Sequence, residues 1–426
     1  MRILVQPHDF ALGGSQLNAV ELAAAVRDRG HDVYLACRPG PITDLAASLG
    51  LELLDLPTIG RRPSPAIARA LRRWASELGL DVLHGYEWPP GLETWTASLG
   101  GSAAPVTTVY SMDVAPFLPG GLDLVVGTAQ IGARVTPHRE GEIHVIEPPV
   151  DTRSNAPGTG GAELRRSLGI PDGELVISVV GRLVPELKLE GVLGAVASMA
   201  LLPEDGPRAT LLVVGDGSAR DVVEGAADEV NAALGRAAVR VVGEMRDPRP
   251  AYDVADIALG MGGSALRALA FGTPLVVQGE RGFWRTLTPE SYRDFAWAGW
   301  YGVSDGEDSS RALTRELGPL LADASLRQRL GGYGQDLVRR HYSLDAAATK
   351  MESVYGVAVD RSRRRMRHAP RAAAGVFAYK ARRTFARRFG VVAADDFNDV
   401  AGLASQRPPE SWVAPGWAEA GEPYVT

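Results

Sequence analysis

The sequence predicts an α/β protein with two doubly wound parallel-sheet domains and a basic helical tail. Short apolar runs alternate with helix-like segments along most of the 426 residues, which is typical of parallel sheets covered by helices. The alternation occurs in two consecutive series, and a polar stretch containing Pro and Gly, residues 152–161, separates them. The chain is long for one hydrophobic core, so we expect two domains.

The first series begins with a strand at residues 2–6 and a loop at residues 7–15. A helix follows at residues 16–29, where apolar side chains recur at helical spacing, and another is predicted at residues 65–78. Further strands are predicted at residues 33–36, 52–56, 81–84, 106–110, 122–126 and 143–146. Together these elements predict an N-terminal domain that spans residues 1–155.

The second series starts at residues 176–180, an apolar and largely β-branched run that indicates a strand buried on both faces of a parallel sheet. Other strands are predicted at residues 209–214, 239–242, 257–259 and 274–278. Helices are predicted at residues 189–201, 221–234, 265–271, 312–322 and 325–340. We expect a C-terminal domain at residues 162–343 and, after it, a return helix at residues 344–358.

The amino-acid composition excludes several classes of function for this protein. Hydrophobic residues make up 45% and charged residues 23%, as in ordinary globular proteins, and the net charge of -6 argues against a general nucleic-acid binder. Cys37 is the only cysteine, which excludes an internal disulfide and a cysteine-based metal site. The apolar stretch after Met1 is too short for a signal peptide and no run has membrane-spanning length, so we expect a cytoplasmic protein.

Two cations follow the first strand of the second series. Gly181 ends that strand, Arg182 comes next, and Lys188 precedes a helix. Ligands of open α/β sheets bind at the carboxyl ends of the strands, and a planar Arg fork beside a Lys point charge suits a diphosphate. For a single cation, the alternative of a solvated loop charge would be favoured.

Glycine-containing loops follow other strands of the two series. Gly13 and Gly14 lie before a helix, where backbone N–H groups favour an anion, although their spacing is not that of dinucleotide-binding folds. Gly215 opens a tight turn, and residues 260–266 join a short strand to a helix for which Ser264 is the predicted N-cap. Each loop, taken alone, is also explained as an ordinary connection.

Arg267 lies in the first turn of that last helix as the sequence predicts it. The helix dipole slightly disfavours a cation at this end. A residue placed against its local preference indicates a functional role, while a surface ion pair would also explain it.

Taken in order along roughly residues 1–357, the motifs are similar to those of a known family. They include Gly13-Gly14, Gly30-His31-Asp32-Val33, Asp81-Val82-Leu83-His84, Gly181-Arg182-Leu183 with Lys188, Val213-Val214-Gly215-Asp216-Gly217 and Gly272-x-Pro274-Leu275-Val276-Val277. The chain resembles the retaining glycosyltransferases of the B-type fold, the large group that includes sucrose synthases and phosphatidylinositol mannosyltransferases. This resemblance implies two Rossmann-like domains that face a central cleft.

The same resemblance implies a nucleotide-diphosphate sugar as donor, an unidentified glycan, lipid or small molecule as acceptor, and no metal or other cofactor. Arg182 and Lys188 would hold the diphosphate and stabilise it as it leaves. Tyr86 and Glu87 would complete the catalytic set beside the transferred sugar. The implied donor-binding residues are Gly13, Gly14, Gly181, Gly215, Glu244 beside the base, and Gly262, Gly263, Ser264, Ala265, Leu266 and Arg267.

The chain departs from the family pattern at positions that contact the donor. Of two glutamates that the family places around the sugar loop, the second falls on Arg267 and the first has no counterpart, because the loop after Asp256 is shortened. Tyr86 replaces the second histidine of the family's His-x-His-Glu stretch. Two further interpretations therefore stay open: a catalytically silent member that binds a nucleotide sugar or a glycan, and a sugar-nucleotide epimerase.

Residues 359–426 form the predicted tail, which is basic at first and Pro-rich from residue 407 onward. Phe377, Ala381, Phe385 and Phe389 recur at every fourth position, a stripe that suits peripheral contact with the inner membrane face. The alternative is a helix whose stripe packs on the first domain. We expect the Pro-rich end to be mobile and deletion of the tail to leave donor binding intact.

Overall fold

The computed structural model of the chain describes residues 1–9, 13–58, 61–185, 187–361, 374–375, 378–383 and 407–416. The chain divides into two compact units. Unit 1 comprises Met1–Pro149 and Leu344–Val400, and unit 2 comprises Val150–Ser343 and Ala401–Thr426. Each unit is a sheet covered by helices, which confirms the predicted fold class.

Unit 1 contains a sheet of seven parallel strands. They are β1 (Arg2–Gln6), β2 (Asp32–Cys37), β3 (Glu52–Asp55), β4 (Val82–Tyr86), β5 (Ala104–Val109), β6 (Asp123–Val126) and β7 (Ile143–Val145). Their order in the sheet is β3-β2-β1-β4-β5-β6-β7. Every residue of β4, β5 and β6 is buried, as expected for parallel strands with helices on both faces.

The helices between these strands are α1 (Gly14–Asp28), α2 (Thr43–Ser48), α3 (Pro65–Glu77), α4 (Trp88–Ser98) and α5 (Ala129–Val135). Helix α3 begins at Ser64, whose side chain accepts a hydrogen bond from the Ala66 N–H, with Pro65 as its first residue. The sequence did not predict α4, because its prolines suggest a break. Pro89 and Pro90 lie in the first turn, where a missing N–H breaks no helical hydrogen bond.

Unit 2 contains a six-stranded sheet. Its strands are β8 (Leu175–Val180), β9 (Ala209–Val214), β10 (Val239–Gly243), β11 (Ile257–Gly260), β12 (Leu275–Gln278) and β13 (Trp284–Thr286). Their order is β10-β9-β8-β11-β12-β13, and only the pairing of β12 with β13 is antiparallel among those of the described strands. The sequence did not predict β13, because three residues are too few to show a strand pattern.

The helices of unit 2 are α6 (Gly161–Ser167), α7 (Leu189–Ser198), α8 (Arg220–Leu234), α9 (Arg249–Asp253), α10 (Gly263–Ala270), α11 (Pro289–Ala298), α12 (Ser309–Ala322) and α13 (Ala324–Leu337). A π-helical turn, Val338–Tyr342, extends α13. Helix α11 begins with a capping box, in which the Thr288 side chain and the Ser291 side chain each accept a backbone N–H of the other residue. This well-defined start fixes the aromatic face of α11 against the core of unit 2.

The last long helix, α14 (Leu344–Arg361), belongs to unit 1 although it follows unit 2 in the sequence. Met351 and Tyr355 are buried in the same cluster as the first strands of unit 1. Near the turn before β2, His31 and Arg29 both bond the carboxylate of Glu352. These hydrogen bonds lower the pKa of Glu352 and tie α14 to that turn.

Two segments of the predicted tail differ from the expectation. Residues 378–383 are helical, and the Tyr379 ring packs against Trp88 and Phe117 of unit 1, at centroid distances of 5.6 and 5.2 Å. Ala381, a member of the predicted stripe, is exposed, so the buried contact falls on Tyr379 instead. The stripe residues Phe377, Phe385 and Phe389 lie outside the described residues.

Residues 407–416 are packed on unit 2, which corrects the prediction of a mobile end over that part of the tail. Ala414 is 2% exposed, because the segment lies against α11 there, whereas Val413 is exposed. In the described part of the chain, every helix lacks either the length or the apolar character that a bilayer crossing requires.

Candidate functional site

The predicted site residues of unit 2 lie at the carboxyl end of its sheet. Strand β8 occupies the middle of the sheet between β9 and β11, so the loops that follow these three strands come together there. They border a depression for which Arg182, Lys188, Ser264 and Gln278 supply polar groups. Of the predicted site residues, Gly181, Arg182, Lys188 and Ser264 line this depression, and their roles stay predictions.

Arg182 and Lys188 form the cationic part of this depression. Arg182 is exposed and Lys188 is half-buried. Within the described residues, neither side chain takes part in a hydrogen bond or an ion pair. Burial and the neighbouring positive charge of Arg182 lower the pKa of Lys188. Two close cations without a carboxylate partner are an arrangement that an anion would stabilise.

Glycines let the loops of this site approach one another. A Cβ atom on Gly215, which has a φ of 146°, would lie 1.9 Å from the Gly181 carbonyl oxygen. A Cβ on Gly181 would lie 3.0 Å from Lys188 Nζ. Gly215 therefore supports the site by permitting close packing against the Gly181 backbone, and its own N–H donates to the Gly243 carbonyl at 2.8 Å.

The start of α10 also borders the depression, where Met261 and Ser264 are among the lining residues. Gly262 is its N-cap, with φ 53° and ψ -129°, a conformation that glycine adopts and other residues avoid. Space around the Cα atoms of both Gly262 and Gly263 is open, so a ligand could contact this stretch of backbone. The Gly262 N–H itself donates to the Trp300 carbonyl at 2.9 Å.

Ser264 is not the N-cap that the sequence predicted. It is the second residue of α10, and its hydroxyl donates to the Met261 carbonyl at 2.9 Å and accepts the Met261 N–H at 3.2 Å. The helix starts earlier because the glycine at position 262 can take the turn that precedes it. Ala265 and Leu266 have buried side chains, which leaves only their backbone for contact with a ligand.

Arg267 is likewise placed differently from the prediction. It is the fifth residue of an eight-residue helix and lies in the last turn, where the helix dipole favours a cation. The argument that its position opposes the local preference is therefore wrong. Glu244, predicted to lie beside a base, directly follows β10 and is exposed.

Gln278 is a residue of this site that sequence reasoning missed. Its side chain is 2% exposed at the end of β12, and its Nε2 atom donates to the Lys188 carbonyl at 3.0 Å. A polar residue at the end of an otherwise apolar strand, Leu275–Gln278, is the signal that could have identified it. The sequence gives no comparable signal for Trp300, whose carbonyl accepts the Gly262 N–H.

In unit 1, Gly13 is the N-cap of α1 and Gly14 is its first residue. No side chain caps this helix, so its first backbone N–H groups are available to an anion. The loop residues 10–12 before it lie outside the described part of the chain. The predicted role of the two glycines is therefore compatible with the geometry and stays a prediction.

Glu87, another predicted site residue, ties three segments of unit 1 together. Its backbone φ of 68° lies in the left-handed region, which is strained for a residue with a side chain. Its carboxylate accepts the Tyr110 N–H at 3.0 Å and the hydroxyls of Ser111 and Ser15 at 2.7 and 3.4 Å. Burial raises the pKa of Glu87, while these hydrogen bonds oppose the rise.

Tyr86 is placed in the core of unit 1, where its side chain is only 2% exposed. Its ring lies 4.6 Å from that of His84 and 6.1 Å from that of Tyr110. A phenol with a large apolar ring is readily buried at such a strand end, and the predicted place of Tyr86 beside a sugar stays a prediction. Burial also raises its pKa.

His84, two residues earlier, is a structural residue of the same core. Its Nδ1 lies 2.7 Å from the Tyr355 hydroxyl and its Nε2 lies 2.8 Å from the Thr108 hydroxyl. Complete burial lowers its pKa to about 3, so the imidazole is neutral. It joins α14 to the sheet rather than serving as an acid or a base.

Glu93 forms a buried polar group at the carboxyl end of β1 that the sequence did not indicate. Its carboxylate is paired with the Arg62 guanidinium and also accepts the Gln6 side-chain amide at 2.7 Å and the Ser64 N–H at 2.8 Å. Such full pairing is what makes a buried charge tolerable. Among the described residues, no three His, Cys, Asp or Glu side chains converge as a metal site would require.

Two family comparisons cover most of the chain. Residues 13–141 match the glycosyl transferase 4-like domain, and residues 161–336 match the glycosyl transferases group 1. The D-inositol 3-phosphate glycosyltransferase of Stackebrandtia nassauensis is 27% identical over 413 residues, covering 84% of this chain and 90% of that protein. The enzyme of the same name from Corynebacterium diphtheriae is also 27% identical, and the match covers 83% of this chain and 92% of that protein.

Solved structures with the same fold share little sequence with this chain. Sucrose-phosphate synthase from Thermosynechococcus elongatus gives a TM-score of 0.63 at 19% identity, and the match covers 84% of this chain and 99% of that one. HepE from Anabaena, solved in complex with UDP-glucose, gives a TM-score of 0.62 at 16% identity, and the match covers 84% of this chain and 100% of that one. These likenesses show a common fold.

Proposed function

The chain belongs to the B-type glycosyltransferases, and we propose that it transfers a sugar from a nucleotide-diphosphate sugar to an acceptor, with retention of anomeric configuration and without a metal. The observation that carries the proposal is the pair of cations, Arg182 and Lys188, that have no acidic partner among the described residues and flank a depression at the end of β8. A diphosphate would supply the negative charge that this pair lacks.

In the proposed reaction, the bond between the anomeric carbon and the diphosphate oxygen breaks. The acceptor oxygen forms its new bond to that carbon on the same face, and the proton of the acceptor hydroxyl passes to the leaving diphosphate. Arg182 and Lys188 accelerate this step because their attraction to the diphosphate grows as negative charge develops on it. Two cations can provide the charge neutralisation for which other transferases use a metal ion.

The start of α10 would complete the donor site. Its exposed backbone at Gly262 and Gly263 has room for a sugar or a phosphate group, and the N-terminus of the helix favours negative charge. Arg267, which stands where the family has a glutamate, can only donate hydrogen bonds. We infer that it contacts an acceptor atom of the donor, such as a phosphate oxygen.

The relatives indicate which compounds to test first. HepE was solved with UDP-glucose, and the curated relatives are named for D-inositol 3-phosphate. We therefore propose UDP-sugars as the first donors and phosphorylated cyclitols as the first acceptors.

The test is to incubate the purified chain with a panel of nucleotide sugars, with and without D-inositol 3-phosphate, in EDTA. Release of nucleoside diphosphate that depends on the acceptor, together with a product whose anomeric proton coupling matches that of the donor, supports the proposal. Binding of a donor without release would instead identify a silent member. Conversion of the donor sugar without any acceptor would identify an epimerase, and inversion or loss of activity in EDTA would contradict the finer proposal.

We also propose that the protein is cytoplasmic and that its basic tail contacts the inner face of the membrane. The packing of Tyr379 on Trp88 and Phe117 favours the alternative, in which the tail covers unit 1. Pelleting of the full chain with anionic vesicles, reversed by salt, would support membrane contact, since each basic residue near such a surface contributes about 1 kcal/mol. Absence of pelleting at low salt would contradict it.

A further inference from the structure

Residues 407–416, which we call the C-terminal strap, contact α11, and Arg293 of this helix donates to three of their carbonyls. The Arg293 Nε atom donates to the Trp412 carbonyl at 3.1 Å, and its Nη2 atom donates to the Glu410 carbonyl at 3.1 Å and to the Pro409 carbonyl. The Trp412 ring also packs edge-on against Trp297, with centroids 5.2 Å apart. A charged donor shared by several carbonyls fixes the backbone of the strap rather than a single side chain.

The end of the strap joins an aromatic cluster inside unit 2. The Tyr292 hydroxyl donates to the Pro415 carbonyl at 2.6 Å and lies 3.0 Å from the Tyr342 hydroxyl. The rings of Tyr292 and Tyr342 lie 6.1 and 5.4 Å from the ring of Trp300. The strap thus contacts Tyr292, which together with Tyr342 packs against the Trp300 ring.

Trp300 connects this cluster with the start of α10. It is 1% exposed, and its backbone φ of 63° lies in the left-handed region, which is unfavourable for a tryptophan. Such a conformation persists only where surrounding contacts determine it, and here the packed rings do so. In this conformation its carbonyl accepts the Gly262 N–H at 2.9 Å.

We propose that the C-terminal strap is a positioning element of the donor site. It fixes Tyr292 and the rings around Trp300, and Trp300 in turn holds the Gly262 backbone at the start of α10. The identity of the ligand rests on the proposed function, whereas the coupling between the strap and α10 does not. The sequence predicts that deletion of the tail leaves donor binding intact. For the strap, this proposal predicts the opposite, because its deletion should weaken donor binding.

Loss of the strap should affect affinity more than the maximal rate. If the start of α10 is ordered in only a fraction of molecules, the apparent donor affinity falls by that fraction, and saturating donor restores the ordered state. A general loss of folded protein would instead reduce the apparent kcat and leave KM unchanged. The split between KM and kcat therefore separates positioning from mere stabilisation.

The first experiment measures amide hydrogen exchange in the ligand-free protein. We compare the full chain with a chain that ends at residue 406 and with a control chain that ends at residue 416, which keeps the strap. Exchange in residues 260–266 should rise by about tenfold in the shorter chain, equivalent to about 1.4 kcal/mol, and stay unchanged in the control. Unchanged exchange there, while residues 292–300 become less protected, would overturn the proposal.

Point variants provide a test if the shorter chain fails to fold. Arg293→Ala and Tyr292→Phe remove contacts with the strap, and Asp294→Ala is the control, because this neighbour on α11 pairs with Arg285 instead. With UDP as the probe in calorimetry, we expect binding to weaken by roughly fivefold or more in the first two variants only. Equal weakening in all three would overturn the proposal. If the full chain fails to bind UDP or any donor, the proposed function fails, and the exchange experiment still decides the coupling.

Discussion

The side-chain amide of Gln278 donates a hydrogen bond to the main-chain carbonyl of Lys188 over 3.0 Å. Gln278 is buried at the end of β12, and Lys188 is the N-cap of α7. Helix α7 also comes close to this amide, since a Cβ atom on Gly191 would lie 2.2 Å from its Nε2. Gln278 therefore contacts the start of α7, the segment that carries the Lys188 side chain.

Replacement of Gln278 by Met should weaken UDP binding although Lys188 is retained. The variant keeps the length of the side chain and removes the donor to the Lys188 carbonyl, so the start of α7 becomes less well fixed. A typical hydrogen bond contributes about 1 kcal/mol, so we expect UDP binding to weaken by roughly fivefold. Calorimetric titration with UDP measures the change.

Gln335 provides the matched control for this variant. Its Nε2 also donates to a helix carbonyl, that of Ala270, at 3.0 Å, but at the other end of α10. Gln335→Met should lower stability to a similar degree and leave UDP binding unchanged. Equal losses of UDP affinity in the two variants would show that Gln278 acts only through overall stability.

Arg182→Ala and Lys188→Ala should each weaken donor binding and turnover with little loss of stability. A hydrogen bond to a charged group contributes on the order of 1.5–3 kcal/mol, which corresponds to roughly ten- to hundredfold in affinity or rate. Neither side chain has a described partner that its removal would leave unpaired. Donor kinetics that match those of the unmodified chain in both variants would refute the phosphate assignment.

Lys188→Met should raise the melting temperature of the ligand-free protein near pH 7. Burial and the charge of Arg182 lower the pKa of Lys188. The positive charge of Lys188 therefore destabilises the folded state relative to the unfolded chain. The unmodified protein should gain stability as the pH rises through this lowered pKa, and the advantage of the variant should shrink there. Thermal unfolding between pH 7 and 10 measures both effects, and a lower melting temperature at pH 7 would contradict them.

The cationic pair could be predicted from the sequence because it depends on local rules. An apolar run that ends in Gly181 identifies a buried strand, and ligands bind where such strands end. The hydrogen bond from Gln278 could not be predicted, because it joins residues 90 positions apart in the sequence. The same limit applies to Trp300, whose role depends on a backbone conformation that its residue type normally avoids.

Where the prediction of elements failed, the signal was weak or ambiguous. Helix α4 begins with two prolines that also fit a loop, and β13 has three residues. The strap was predicted to be mobile from its prolines, yet Arg293 satisfies its carbonyls and Trp297 covers Trp412. Composition describes what a segment tends to do in isolation, whereas these contacts come from another part of the chain.

Arg267→Glu should weaken UDP binding, although it restores the residue typical of the family. A carboxylate there would repel the diphosphate and would lie in the last turn of α10, where the helix dipole favours the arginine. We expect a loss of roughly tenfold in affinity, comparable to the loss of one charged hydrogen bond. Arg267→Gln serves as the neutral control. Tighter binding by the Glu variant would indicate that Arg267 is not a donor ligand.

Glu87→Gln should change the pH dependence of the stability of the chain. Burial raises the pKa of Glu87 above its value in the unfolded chain, so the folded state binds this proton more tightly. That contribution is fully present below the unfolded pKa and is lost as the pH rises through the folded pKa. The glutamine keeps the shape of the side chain but does not titrate, so the variant should lose less stability over this pH interval.

Urea unfolding between pH 4 and 8 tests the prediction, with Glu142→Gln, a half-exposed carboxylate of the same unit, as the control. Parallel stability curves for the unmodified protein and the Glu87 variant would mean that the carboxylate does not titrate with a raised pKa, and that its hydrogen bonds to Tyr110 and Ser111 fully offset its burial.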